Sequence, residues 1–296
     1  MVWLDRKGQH ITIEMPEEWG GIVPSEIFFE EGKRLVDLAN ERKLTIRLLG
    51  GVAIRLHTKN VEGFAKKLGR LGVEGGQEFT DLDFMAYKKQ RDKIKKFLTS
   101  IGYIKRVTTI SSAVSERQIY YHPKGWFHVD VFYDKLKMNH DIDFRKRLEI
   151  DYPTISVTDM LLEKMQIVKI AEKDIKDTCV LIRAHEVGEK EEECINAKYI
   201  AQLLSNDWGF WYTVTTNLKG VKELAPDYGV EGQDLKDITS KIDKILEYID
   251  AEKKGMKWKS RSIVGSKKAW YRPVETTETV GDFGIDTLRK QVKEQK

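Results

Sequence analysis

Apolar and polar residues alternate over Ile11–Ile13, Asp81–Tyr87 and Trp126–Tyr133, the period of a strand, while helical spacing marks much of the chain between. Ile27, Phe28, Leu35, Leu38 and Ala39 predict a helix running to about Arg42, with Ser25 read as its N-cap. Leu44–Leu49 is a β-type run ending in Gly50-Gly51, and Ala53, Ile54 and Leu56 predict a short helix after it. Residues 59–79 predict a helix and a connector with Gly69, Gly72, Gly75 and Gly76. Ile94, Phe97 and Leu98 give the inward face of a helix over Lys88–Ile101, which Gly102 ends. Residues 103–133 read as successive strands, with Pro123-Lys124-Gly125 as a hairpin turn between Gln118–His122 and Trp126–Tyr133.

From Pro153 the pattern becomes helical. Thr158 is read as a cap with Asp159 in the first turn, and Leu161, Leu162, Met165 and Val168 as the buried face. A second helix is predicted from about Asp174 to His185, and the acidic run Glu189–Glu193 marks a change of segment. Helices at Ala197–Leu204 and Leu235–Ile249 follow, with the aromatic run Trp208-Gly209-Phe210-Trp211-Tyr212 between them. There is no internal repeat and no long low-complexity tract. The order predicts an α+β domain over residues 1–187 and a mostly helical C-terminal domain over 188–296.

The 296 residues are 41% hydrophobic and 10% aromatic, enough for a packed core, which excludes global disorder. No run approaches the roughly 20 apolar residues of a membrane span, and the N-terminus lacks the apolar core of a signal peptide. Cys179 and Cys194 have neither metal-ligand spacing nor the density of a disulfide framework. The expectation is a cytoplasmic protein with no membrane partner. Net charge is only +4, but Lys253–Val274 holds eight Lys/Arg and no Asp or Glu.

Asp81 and Asp83 lie at i and i+2 of one strand, so they project from one face. Two carboxylates so close repel unless a cation lies between them, and hard divalent ions such as Mg²⁺ take carboxylate oxygen together with substrate phosphates. Asp130 sits in another alternating strand, with Phe127, Val129 and Val131 on the other face. If the strands are neighbours, the three carboxylates form one cluster. Gly50-Gly51, ending a strand and opening a helix, offers close backbone approach at a helix N-terminus, which favours phosphate. Arg55, one turn on, is a further phosphate contact in this reading.

Gly50-Gly51-Val52-Ala53, Asp81-Leu82-Asp83 and Asp130 resemble the signature of the DNA polymerase β-like nucleotidyltransferase superfamily. Within it the chain is most similar to minimal prokaryotic nucleotidyltransferases, which include AbiEii-type toxins and some antibiotic nucleotidyltransferases. The resemblance covers about residues 25–187. It implies the nucleotidyltransferase fold, a small mixed sheet flanked by helices. It implies an NTP substrate, with Asp81, Asp83 and Asp130 as ligands of Mg²⁺ or Mn²⁺, Asp130 also activating an acceptor hydroxyl, and Gly50 and Gly51 cradling phosphate. Lys164 resembles a family lysine, which implies a catalytic role, and Lys173-Asp174-Ile175-Lys176-Asp177 resembles the element after it. A toxin role with an antitoxin partner is implied by the resemblance alone. About thirty residues separate Gly51 from Asp81, longer than in most small members, so residues 60–79 must loop out or add a helix.

Plainer readings stand beside these. Asp81 and Asp83 can be a solvated edge, Lys164 a solvent-facing lysine, and Asp174 and Asp177 local partners of Lys173 and Lys176. His57, His122, His128, His140 and His185 are dispersed; only His128 shares the Asp130 face, where it either lines the site or packs. Lys253–Val274, with Trp258, Trp270 and Tyr271, suits an RNA acceptor such as a tRNA end, or is a basic surface whose aromatics pack inward. The alternative to an enzyme is a non-catalytic nucleotide- or RNA-binding module on the same fold.

Overall fold

The computed structural model describes residues 2–4, 8–70, 78–107 and 117–274. Gly72, Gly75 and Gly76, part of the region read as strands after Tyr103, and the mixed-charge tail from Glu275 lie outside the described residues. The described chain forms two units. The first draws on Met1–Leu56, Gly72–Leu136 and Asp143–Ile155, and the second on His57–Leu71, Lys137–Ile142 and Ser156 onward. The segment change expected at residue 187 lies inside the second unit, in the strand Glu186–Gly188.

The first unit is built on a five-stranded mixed sheet. Its strands, in spatial order, are Ile46–Leu49, Asp81–Ala86, His128–Tyr133, Arg117–Tyr121 and Ile104–Lys105. Only the pairing of Asp81–Ala86 with His128–Tyr133 is parallel. Period-2 alternation gives the sheet an apolar face on which Leu48 pairs with Phe84, Leu82 with Val129, and Phe84 with Val131. The helix Ser25–Glu41 buries Phe28, Leu35, Val36 and Ala39 and packs on this face. The approach is close: a Cβ on Gly32 would meet both Leu48 methyls at 3.1 Å and a Leu82 methyl at 3.4 Å. Asp81 and Asp83 lie on the opposite face.

The helix Arg91–Ser100 buries the expected Ile94, Phe97 and Leu98, and Gly102 follows its end at φ +94°. The turn at Pro123-Lys124-Gly125 joins two antiparallel strands as read. Ser25 is not a cap. Pro24 holds that position, and the Ser25 hydroxyl instead donates to Glu78 Oε2 at 2.7 Å. A proline whose fixed φ already suits the helix entry leaves the serine free for a longer-range bond.

The second unit, among its described residues, is mostly helical. Its longest helices are Glu172–Ala184, Trp208–Leu224 and Gly232–Ala251, with Val157–Met165 and Ala197–Leu204 against them. Ile175, Leu181, Leu218, Val221, Ile242 and Ile245 are core residues, none more than 1% exposed. The added length after Gly51 enters here as a helix, Glu62–Lys67. Ser156, not Thr158, caps Val157–Met165: its hydroxyl oxygen accepts the Asp159 N–H at 3.2 Å. Thr158 lies inside the helix and accepts the Asn196 N–H at 2.9 Å. Val168 falls beyond the helix end. No helix among the described residues is long and apolar enough to cross a membrane.

Candidate active site

Register decides which side chains meet. Asp81 pairs with His128 and Asp83 with Asp130 across the parallel strands, while Leu49 and Ile119 flank Asp83 and Asp130 on the antiparallel sides. Residues paired in register share a face, so Asp81, Asp83, His128 and Asp130 all project from the side opposite the Ser25–Glu41 helix. The three carboxylates thus lie on one face of neighbouring strands, although the close ligand cluster there is Asp81, His128 and Asp130, without Asp83. Asp130 is only 1% exposed, whereas Asp81 and Asp83 are half-buried. The solvated-edge reading does not describe them.

Charge is balanced from two sides. His128 Nε2 lies 3.4 Å from Asp81 Oδ2 and 3.9 Å from Asp130 Oδ2. Arg117, on the adjacent hairpin strand, forms an ion pair with Asp130 Oδ2. Burial works against the Asp81 charge, but the His128 hydrogen bond and charge, the Thr80 hydroxyl and Arg117 together outweigh it and hold its carboxyl below the ordinary range. Asp130 goes the other way: burial pushes its carboxyl up, and the Arg117 and His128 charges only partly offset that. The hydrogen bond to Asp81 holds the His128 imidazole above its ordinary value.

Asp81, His128 and Asp130 each offer a ligand atom within 4.8 Å of the other two. Asp130 Oδ1 is buried with no hydrogen-bond partner. A buried carboxylate oxygen left so is costly, and a divalent cation would satisfy it. The donor set therefore fits a cation. His128, sharing the Asp130 face by sequence, lines the site. Arg117 was not among the sequence candidates. Its signal lay in the hairpin: pairing outward from the Pro123–Gly125 turn places it opposite Phe132, diagonal to Asp130.

Gly50 sits at the edge of this cluster with φ +75°, and a Cβ there would lie 3.0 Å from Asp83 Oδ2. Gly51 has ordinary helical geometry, with its Cβ position 3.4 Å from the Phe79 ring. The two glycines open the helix Gly50–His57. Arg55 is half-engaged: Nε donates to Glu78 Oε1 at 3.1 Å, while Nη1 is buried with no hydrogen-bond partner.

Lys164 belongs to the second unit and is 9% exposed, so the solvent-facing reading fails. Its Nζ lies 2.9 Å from Asp174 Oδ1 and 3.1 Å from Asp177 Oδ2, and Arg70 Nε donates to Asp177 Oδ1 at 2.6 Å. The aspartates thus serve a cation on another helix, while Lys176 pairs with Glu172. Burial opposes the Lys164 charge, yet the two carboxylates raise its pKa well above the usual lysine value. Burial likewise disfavours the Asp177 charge, and Lys164 and Arg70 pull its carboxyl down.

In the basic stretch, Met256–Val264 is helical. Trp258 packs edge-on to Trp211 at 5.0 Å and Trp270 to Tyr212 at 5.1 Å, while the Arg261 guanidinium lies 4.9 Å over Trp208. The aromatics are thus engaged inside the unit. Arg272 pairs with Asp141 at 2.9 Å.

No family model matches the chain, and no curated protein does. Among solved structures it is similar to the lincomycin-bound lincosamide antibiotic adenylyltransferase LnuA, with 18% identity and a TM-score of 0.35 over 54% of this chain and 96% of that one. It is similar to the antibiotic-resistance factor ANT(2'')-Ia, with 11% identity and a TM-score of 0.32 over 53% and 82%. A third is an antigenic nucleotidyltransferase-like protein from Paracoccidioides brasiliensis, with 12% identity and a TM-score of 0.35 over 79% and 96%.

Proposed function

We propose that the chain is a divalent-cation-dependent nucleotidyltransferase, moving a nucleoside monophosphate from an NTP to an acceptor hydroxyl. The observation that supports this most is the convergence of Asp81, Asp83 and Asp130 on one sheet face, with Gly50 seated against Asp83. Asp81, Asp83 and Asp130 would hold Mg²⁺ or Mn²⁺, with His128 beside them. Such an ion, when bound, offsets the negative charge that develops around the reacting phosphate.

Gly50 and Gly51 admit the triphosphate to the backbone at the start of a helix, where the dipole favours anions. Arg55 Nη1 is the donor left for phosphate. The acceptor oxygen bonds to the α-phosphorus as the bond from that phosphorus to the bridging oxygen breaks, and pyrophosphate leaves with the electron pair. The hydroxyl proton passes to a carboxylate, for which Asp130, on the same sheet face as Asp81 and Asp83, is the candidate. The chain's own contribution is positioning and preorganised charge. Lys164, tied to Asp174 and Asp177, is the further catalytic candidate.

We assign the chemistry to the region before residue 187 and acceptor binding to the helices after it, with Lys253–Val274 as the surface for an RNA acceptor. A protein hydroxyl or a small molecule such as an aminoglycoside are the other acceptor classes. A toxin of the AbiEii type is the cellular role, and growth arrest on expression, abolished by Asp83→Ala, tests it. A second reading draws on Arg117, which already neutralises Asp130: a nucleotide-binding module without catalysis.

The deciding experiment measures pyrophosphate release with Mg²⁺, each NTP separately, and cellular RNA added or withheld. Asp81→Ala/Asp83→Ala protein is the control, and NTP binding is measured on the same samples. Release that vanishes in the control supports the enzyme. Binding without release across RNA, protein and aminoglycoside acceptors transfers the case to the module, and neither binding nor release overturns both.

A further inference from the structure

Besides the candidate active site, a second cluster of metal-ligating side chains occurs among the described residues: His57, His185 and Glu193. All three belong to the second unit. His57 ends the helix Gly50–His57, His185 follows the last residue of Glu172–Ala184, and Glu193 precedes the strand Cys194–Asn196. Both imidazoles are buried, with side chains 8% and 4% exposed, whereas the Glu193 side chain is 61% exposed. Glu193 takes a left-handed backbone, φ +46°, which a glutamate adopts only at a cost.

The distances discriminate between two interpretations. His57 Nδ1 lies 3.2 Å from Glu193 Oε1, and His185 Nδ1 lies 3.6 Å from Oε2. Tetrahedral zinc holds nitrogen and oxygen ligands at about 2.0–2.1 Å, which sets neighbouring ligand atoms roughly 3.3 Å apart. The observed separations bracket that edge. The rings also make hydrogen bonds at the long end of the usual range, His57 Nδ1 to Oε2 and His185 Nδ1 to the Glu193 carbonyl oxygen, each at 3.3 Å. Two buried rings thus turn their Nδ1 atoms toward one exposed glutamate.

We propose that His57, His185 and Glu193 bind a divalent transition-metal ion, with Zn²⁺ the best match to two imidazoles and a carboxylate. Imidazole nitrogen suits zinc and its neighbours, whereas Mg²⁺ demands oxygen. The sheet cluster has one imidazole against two here, so the two sites differ in their preference for zinc. The exposed Glu193 side supplies an entry path and leaves the remaining coordination position to water. The ion would tie His57 to His185 and Glu193, whose segments already pair next to them at Glu186 and Cys194, so its binding free energy becomes stability of this unit.

The test uses the full chain, dialysed to equilibrium against Zn²⁺ or against Mg²⁺, with bound metal counted per chain. Glu193→Gln and His57→Gln are compared with wild type and with Asp81→Asn/Asp130→Asn. The expected result is one Zn²⁺ equivalent kept by the Asp81/Asp130 variant and lost, or weakened by about tenfold or more, in the other two. Zn²⁺ raises the unfolding midpoint of wild type and not of Glu193→Gln. Glu193 is exposed, so that variant is expected to keep the metal-free midpoint. Should either variant misfold, the Co²⁺ spectrum of wild type reads imidazole ligation directly. Undiminished zinc binding by folded Glu193→Gln, no zinc beyond that removed by the Asp81/Asp130 substitutions, or a wild-type Co²⁺ spectrum without imidazole ligation overturns the site. None of these outcomes depends on nucleotidyl transfer.

Discussion

Asp83 Oδ2 occupies the space beside Gly50 where any other residue would carry its Cβ, 3.0 Å away. Gly50 also has φ +75°, a left-handed conformation that costs a non-glycine residue about 1–2 kcal/mol. Both demands fall on one residue because the strand before it pairs Leu49 with Asp83. Gly50→Ala is expected to lower stability by about that amount and, by displacing the Asp83 carboxylate, to reduce pyrophosphate release about tenfold or more. Gly51→Ala, with its Cβ position 3.4 Å from a ring and no positive φ, should leave stability within about 0.5 kcal/mol or improve it. Denaturant unfolding of the two variants checks this; equal losses at both positions would sink the explanation.

Arg117 and Asp130 pair unequally with solvent: the arginine side chain is 41% exposed and the aspartate 1%. Removing the arginine strands a buried carboxylate. Removing the carboxylate charge leaves a guanidinium that can turn to water. Arg117→Gln should therefore destabilise more than Asp130→Asn, by about 1–2 kcal/mol rather than the roughly 3–5 kcal/mol of a fully buried pair, because water screens the exposed side. Urea titration of both variants without metal is the measurement, and the reverse order would show that Asp130 is stabilised by something other than Arg117.

Much of this site was legible because strands repeat every two residues. His128, Asp130, Asp81 and Asp83 could be placed on faces from alternation, and Arg117 was within reach through the hairpin turn. Helices were legible where one face is apolar, as with Ile94, Phe97 and Leu98. What local pattern could not give was competition for a side chain. Ser25 and Thr158 both have the chemistry of a cap, but each bonds elsewhere, to Glu78 and Asn196. Lys164 read as solvent-facing because its partners come from the Glu172–Ala184 helix. The weaving of His57–Leu71 and Lys137–Ile142 into the second unit follows from tertiary packing, which leaves no periodic trace.

Lys164 holds Asp174 and Asp177 together, and Arg70 is a second cation on Asp177. Lys164→Met is expected to cost about 3–5 kcal/mol, since it leaves a buried carboxylate uncompensated. Adding Asp174→Asn removes that charge and should recover a large part of the loss. The same pair of variants separates structure from chemistry. If Lys164 only positions its neighbours, pyrophosphate release returns with stability in the double variant. Release that stays absent in a restabilised double variant would mean that the lysine touches substrate.

Acid should destabilise the protein through two buried histidines. Trp270 Nε1, which can only donate, bonds Thr213 Oγ1 at 3.1 Å, so the threonine hydroxyl proton is left to donate to His140 Nε2 at 2.9 Å. That requires neutral His140, and burial lowers its pKa to about 4. Burial lowers His122 to about 4 as well, its ring stacked on Trp126 and its Nδ1 accepting the Lys124 N–H. Both folded-state values lie below the unfolded value of 6.5. The unfolded chain therefore takes up protons first as pH falls. The contribution is complete above about pH 6.5, declines below it, and is exhausted near pH 4, with each histidine accounting for up to about 3 kcal/mol. Unfolding free energy measured by urea titration across that range should fall with acid, and His140→Gln should flatten the slope by roughly half of the share that His122 and His140 supply together. A slope that His140→Gln leaves unchanged would show that other groups govern the acid limb.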